Sequence, residues 1–152
     1  MTQSIPRPDL SERRFDSNAE RWMPLHPSRL YRAWTQEFGL WFADLVSVRM
    51  KAEIGQPFFF QTEYRIENQK AQRHSHYGRF LRLIPDQLVE ITWMTGKGGT
   101  EGAETVLTVE FIAEKNGTRV KLAHRGFLNE LARAQHEAAW PMVLEQQEKK
   151  LK

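Results

Sequence analysis

The residues with the greatest chemical capacity are three histidines and one glycine-rich run. His74 and His76 stand two apart, so on an extended strand both imidazoles point to one face, the spacing of a two-imidazole metal site. A metal needs a third ligand. His124 and Glu63 are conceivable, but no spacing brings either to the pair, so a rim pair is the plainer reading and no metal is expected. His124 ends a strand-like run before Arg125 and Gly126, where a local hydrogen-bonding role outweighs acid–base work. The run Thr95-Gly96-Lys97-Gly98-Gly99-Thr100 superficially resembles a phosphate loop. It lies between two strand patterns, so the helix N-terminus that would receive a phosphate is missing, and it reads as a flexible hairpin connection. Cysteine is absent, which removes thiolate nucleophiles, disulfides and thiolate metal sites and fits a reducing compartment.

A second set of residues points to binding rather than reaction. Phe58, Phe60, Thr62, Tyr64, His76, Phe80, Trp93, Phe111, Gln135, Trp140 and Gln147 fall on strand and helix faces that must turn inward, as does Met142. Aromatic walls with a few polar groups are the lining of a ligand cavity. Plain core is the competing reading for each apolar member. Gln147 stands out because it takes a place where Leu is expected, and a buried amide needs partners.

These side chains need elements to hold them. Period-two alternation runs through residues 46–50, 58–64, 74–80, 89–93, 107–111 and 120–122 without an intervening helix. The connectors are hairpin-like: Gly55-Gln56-Pro57, Ile84-Pro85-Asp86, the loop 95–103, and Asn116-Gly117. Residues 20–25 add a strand that Pro24 confines to an edge, which makes a seven-stranded antiparallel sheet. Pro27 opens a short helix carrying Leu30, Tyr31 and Trp34, and Thr35 reads as the N-cap of a second one through Phe38.

The last segment, Asn129 to Leu151, has helical periodicity. Leu128, Leu131, Gln135, Ala138, Met142 and Leu151 form its main stripe, with Trp140, Leu144 and Gln147 beside them. Glu130, Arg133, His136 and Glu137 are assigned to water. Pro141 inside this helix removes one backbone bond and predicts a kink. The prediction is an α+β fold: a curved seven-stranded antiparallel sheet wrapped around a long C-terminal helix, with two short helices after the first strand. A flexible arm occupies residues 1–18 and a single domain residues 19–152.

The chain has 152 residues, and its 22 basic residues nearly balance 19 acidic ones, for a net charge of +3. That excess forms no basic stripe, so nucleic acid is not an expected partner. Nothing approaches a membrane-spanning run, and a soluble cytoplasmic protein is expected.

In order and spacing, several segments resemble the SRPBCC or START-like superfamily, and within it the bacterial homologues of the heat-shock ATPase activator. They are residues 27–35 with Leu40-Trp41-Phe42, Gly78-Arg79-Phe80-Leu81 leading to Pro85, Val89-Glu90-Ile91-Thr92-Trp93, residues 116–127, and Trp140 with Leu144. Ala139 stands where that family usually has glycine. The resemblance implies a helix-grip fold with a cavity between sheet and helix that takes a small apolar or amphipathic molecule. It implies no cofactor and no shared catalytic motif. A cyclase, dehydratase or hydrolase using His76, Tyr64 or His124 and a co-chaperone-like protein-binding module are the alternatives, and a homodimer and a chaperone partner are compatible with it.

Overall fold

The computed structural model describes residues 5–64 and 70–152, with only the backbone of Tyr64 among them. The elements in chain order are β1 (Phe15–Met23), α1 (Pro27–Thr35), α2 (Phe38–Trp41), β2 (Pro57–Tyr64), β3 (Gln72–Ile84), β4 (Leu88–Trp93), β5 (Thr105–Glu114), β6 (Gly117–Phe127) and α3 (Glu130–Leu151). The six strands form one open, curved antiparallel sheet in the order β1-β6-β5-β4-β3-β2. Strands β2 to β6 follow one another as a meander, and β1 closes the far edge beside β6.

The sheet therefore has six strands where seven are expected. Residues 46–50 are the difference. The Asp44 carboxylate accepts from the Val46 amide at 3.2 Å, and the Ser47 amide donates to the Asp44 carbonyl at 2.9 Å. Leu45–Ser47 is thus wound into a 3₁₀ turn. Only Arg49 keeps a bridge, to Phe59. Val46 is 80% exposed, and Val48 and Met50 pack against the core from outside the sheet.

At the other edge β1 begins at Phe15, inside the segment 1–18 expected as an arm. Residues 5–14 lie against the outer face of the sheet. Arg7 pairs with Glu90 at 2.7 Å, and Arg13 donates to the carbonyls of Gly126 and Glu104 at 2.8 and 2.7 Å. Glu90 alternates with the core residues Val89 and Ile91, so its burial comes from the outer side. Gly126 takes φ 93° at a one-residue bulge against β1, a conformation open to glycine at little cost.

The β5–β6 hairpin turns on Lys115 and Asn116, both left-handed at φ 50° and 59°. The tight turn is present but one residue earlier than Asn116-Gly117. Gly117 instead heads β6, where a Cβ would meet the Met23 carbonyl at 2.3 Å. In α1, Pro27 takes the first turn and the His26 ring accepts from the Ser28 amide at 3.1 Å. Thr35 does not cap α2: its hydroxyl donates back to the Tyr31 carbonyl at 2.8 Å, and Glu37 holds the cap position. Trp34, Phe38 and Trp41 from this pair pack ring against ring, and reach Trp140 of α3 and Phe60 of β2. They fill one end of the concavity.

Helix α3 is capped by Asn129, whose side chain accepts from the Ala132 amide at 2.9 Å. It buries Ala132, Trp140, Leu144, Gln147 and Leu151. Except for Leu151, the sequence's main stripe is turned outward instead, with Leu131 67% and Met142 71% exposed. Apolar residues lie on both sides of this helix, and the row that carries the largest ring is the one the sheet selects. α3 continues through Pro141 to Leu151. The amide hydrogen bond that Pro141 cannot make would have gone to the carbonyl of Glu137, and both residues face solvent, where water can serve that carbonyl.

Strand β3 passes close under β4 at Gly78, where an added Cβ would sit 2.2 Å from the Thr92 carbonyl and 2.3 Å from the Phe58 ring. Gly78→Ala is expected to destabilise the fold by about 1–3 kcal/mol through overpacking. Gly96→Ala, with nothing within 4 Å, serves as the control. Urea unfolding of the two variants checks this, and equal midpoints would contradict it.

Candidate functional site

Between α3 and the ends of β3 and β4 the concavity is not filled. A cleft of about 1000 Å³ opens there, bounded by residues 73–77 of β3, Trp93, residues 95–99 of the β4–β5 loop, Phe42, and residues 135–143 of α3. Its rings are locked together. Phe42 meets the His76 ring at 5.5 Å and 79°, His76 meets Trp93 at 5.0 Å and 68°, and Trp93 meets Trp140 at 5.5 Å and 57°. The loop wall is pinned by a reciprocal pair in which the Thr95 and Thr100 hydroxyls each accept from the other's amide at 2.8 Å. Arg73 at the mouth is held by Asp44 and Glu63 at 2.8 and 3.1 Å.

Beneath the cleft a buried chain of hydrogen bonds fixes His124. The indole N–H of Trp140 donates to His124 Nδ1 at 3.0 Å. An indole can only donate, so Nδ1 accepts and the proton sits on Nε2. That N–H faces the Thr105 hydroxyl at 2.7 Å, which in turn donates to the Trp93 carbonyl at 2.5 Å. Both ring nitrogens are used. Complete burial, with His136 nearby, holds the His124 pKa well below the usual imidazole value.

Two further imidazoles line the cleft with a different pattern. Nδ1 of His76 faces its neighbour's carbonyl, that of His74, at 3.3 Å, and Nδ1 of His136 faces the Ala132 carbonyl at 2.8 Å. A carbonyl can only accept, so each proton sits on Nδ1 and each Nε2 carries a lone pair. Burial pushes the His76 pKa down to about 4; the His74 carbonyl opposes this, and the nearby His74 and His136 rings add to it. Burial likewise lowers His136. The His76 ring is fixed by stacking on Phe60 at 4.9 Å and 13°, and His136 by Phe127 and His124 at 4.7 and 5.0 Å.

Of the residues expected to line a cavity, the cleft gathers Thr62, His76, Trp93, Gln135 and Trp140, with Met142 at its exposed edge. Phe58, Phe80 and Phe111 are packed in the core and do not line it, and Phe60 sits behind the Phe42, His76 and Trp93 rings of its wall. The Tyr64 side chain lies outside the described residues. Gln147 is buried on the inner row of α3, but a turn beyond the cleft wall, and its amide has no hydrogen-bond partner among the described residues. His136 is the residue that periodicity assigned to water. Its signal was its place four residues before Trp140, on the same helix face. The glycine-rich loop contributes wall rather than a phosphate cradle, for a strand follows it. Among the described residues no three His, Cys, Asp or Glu converge as a metal set, and no helix is long and apolar enough to cross a membrane.

Residues 24–152 match the family model described as Activator of Hsp90 ATPase homolog 1-like protein. No curated protein matches the chain significantly. Among solved structures, protein CV1439 from Chromobacterium violaceum is 17% identical, with a TM-score of 0.74 over 89% of this chain and 95% of that one. The Aha1 dimer from Colwellia psychrerythraea is 16% identical, with a TM-score of 0.61 over 90% and 95%. DynU16, a protein of the dynemicin biosynthetic locus, is 11% identical, with a TM-score of 0.69 over 90% of this chain and 47% of that one. At these identities the likeness is one of fold.

Three histidines held neutral give the fold a definite pH response. Their folded pKa values lie below the unfolded one, so the unfolded chain binds more protons in the intervening window. Stability is therefore complete above about pH 6.5 and falls as pH drops toward 4. His76 alone accounts for ~3 kcal/mol over that window by linkage. Urea midpoints at pH 7.5, 6 and 5 should fall in that order, and a flat profile would contradict the assignment.

Proposed function

The chain belongs to the Activator of Hsp90 ATPase homolog 1-like family, a fold that commonly holds hydrophobic ligands, and we propose that it binds a small apolar or amphipathic molecule in the cleft between the sheet and α3. The observation that carries this reading is the cleft itself: about 1000 Å³ of space beside Phe42, Trp93 and Trp140, with His76, His136, Thr62 and Gln135 among its polar groups and Arg73 and Lys97 also lining it. That volume and that ratio of apolar wall to polar points suit a multi-ring organic molecule. The alternative of a cavity enzyme draws little from His124, because both of its nitrogens are committed to Trp140 and Thr105.

Protein contact has a separate observation in its favour. Leu131 and Met142 are exposed on α3, with Leu128 exposed just before its cap, and a patch of this kind suits a second copy of the chain or a chaperone. Sedimentation of wild type and Leu131→Glu tests it; a monomer in both would remove a homodimer.

Ala139 is exposed and lines the cleft from α3. Ala139→Trp should fill the space while leaving the core intact. A fluorescent apolar probe is expected to bind the wild type and raise its melting temperature, by about 2.7 kcal/mol of stability at 100 times the Kd. The variant should keep its fold and lose the probe. Equal probe binding by both proteins would overturn the cleft as the site.

A further inference from the structure

Aromatic walls say little about which molecule fits, so the polar points of the cleft carry what selectivity it has. His76 presents its ring from β3 and His136 from α3, on opposite walls of one cleft. Each has its Nδ1 directed at a backbone carbonyl, at 3.3 and 2.8 Å. The proton of each ring is thereby placed on the nitrogen that faces the protein. The nitrogen left over is an acceptor. Among the described residues nothing donates to either Nε2, whereas the third imidazole, His124, has both nitrogens satisfied.

We infer that the cleft selects aromatic molecules carrying a hydroxyl group, which donates its hydrogen bond to Nε2 of His76 or His136. This rests on the ligand-binding reading above and narrows it. A lone pair on a neutral ring attracts an O–H and repels a carboxylate or phosphate oxygen, so the two acceptors discriminate by the direction of the hydrogen bond rather than by charge. Both rings are held by neighbouring rings, His76 stacked on Phe60 and edge-on to Trp93, His136 tilted against Phe127, so little rotamer freedom is lost when the bond forms. A metal ion would compete for the same lone pairs, but no third ligand converges among the described residues.

The test compares 2-naphthol with 2-methoxynaphthalene, which keeps the ring system and oxygen but has no hydrogen to donate. Titrated into the wild-type protein at pH 7.5, 2-naphthol should bind about tenfold tighter, the ratio expected of one net hydrogen bond. In His76→Phe/His136→Phe the two affinities should converge while the methyl ether still binds. Equal affinities in the wild type would overturn this inference and leave the apolar cleft standing. Failure of the wild type to bind either compound would overturn both. The wild-type comparison decides the matter even if the double variant does not fold.

Discussion

The arrangement of this molecule depends on one buried polar connection. A helix laid over an aromatic sheet could slide or rotate among several packings of similar apolar area, particularly when, as in α3, apolar residues lie on both sides. The indole of Trp140 removes that freedom. Its N–H must find an acceptor inside the core, and the acceptor is His124, whose own proton passes to Thr105 and whose chain ends on the Trp93 carbonyl. Each group in the series donates once onward, so each requires the next, and a half-made chain would leave a buried polar atom costing about 1–3 kcal/mol. Helix, final strand, fifth strand and fourth strand are tied by it at one point.

With α3 fixed there, the rest of the concavity is partitioned. The α1–α2 pair packs its tryptophans and Phe38 into one side. On the other side β3 and β4 run beyond the reach of α3's buried row, and only the pinned 95–103 loop closes the gap. The cleft is the volume left between them. Burial holds His76 and His136 neutral as well, so these two rings present acceptors to a cleft that Arg73 and Lys97 also line.

Much of this was legible in the sequence, for identifiable reasons. The five strands from Phe58 to Leu122 alternate cleanly because one face of each is in the core, and Pro27, Pro85 and Asn116 mark turns or helix starts by restricting the backbone. Residues 46–50 alternate equally well yet form a 3₁₀ turn, because a local carboxylate cap at Asp44 competes with pairing and no counterpart buries Val46. The orientation of α3 was ambiguous, since Leu131 and Met142 argue for one face and Trp140 with Leu144 for the other. What decides it is the partner of the indole, a residue 16 positions away on another element. His136 was hidden for the same reason: its capacity depends on which face of the helix turns inward.

The protonation pattern of the three imidazoles is the point on which the account stands. A long-range 1H–15N correlation spectrum at pH 7 reads it directly from the side-chain nitrogens. His124 is expected to carry its proton on Nε2 and His76 and His136 theirs on Nδ1, with all three neutral. A protonated His76, His124 or His136, or His136 and His76 with their protons on Nε2, would rule this pattern out.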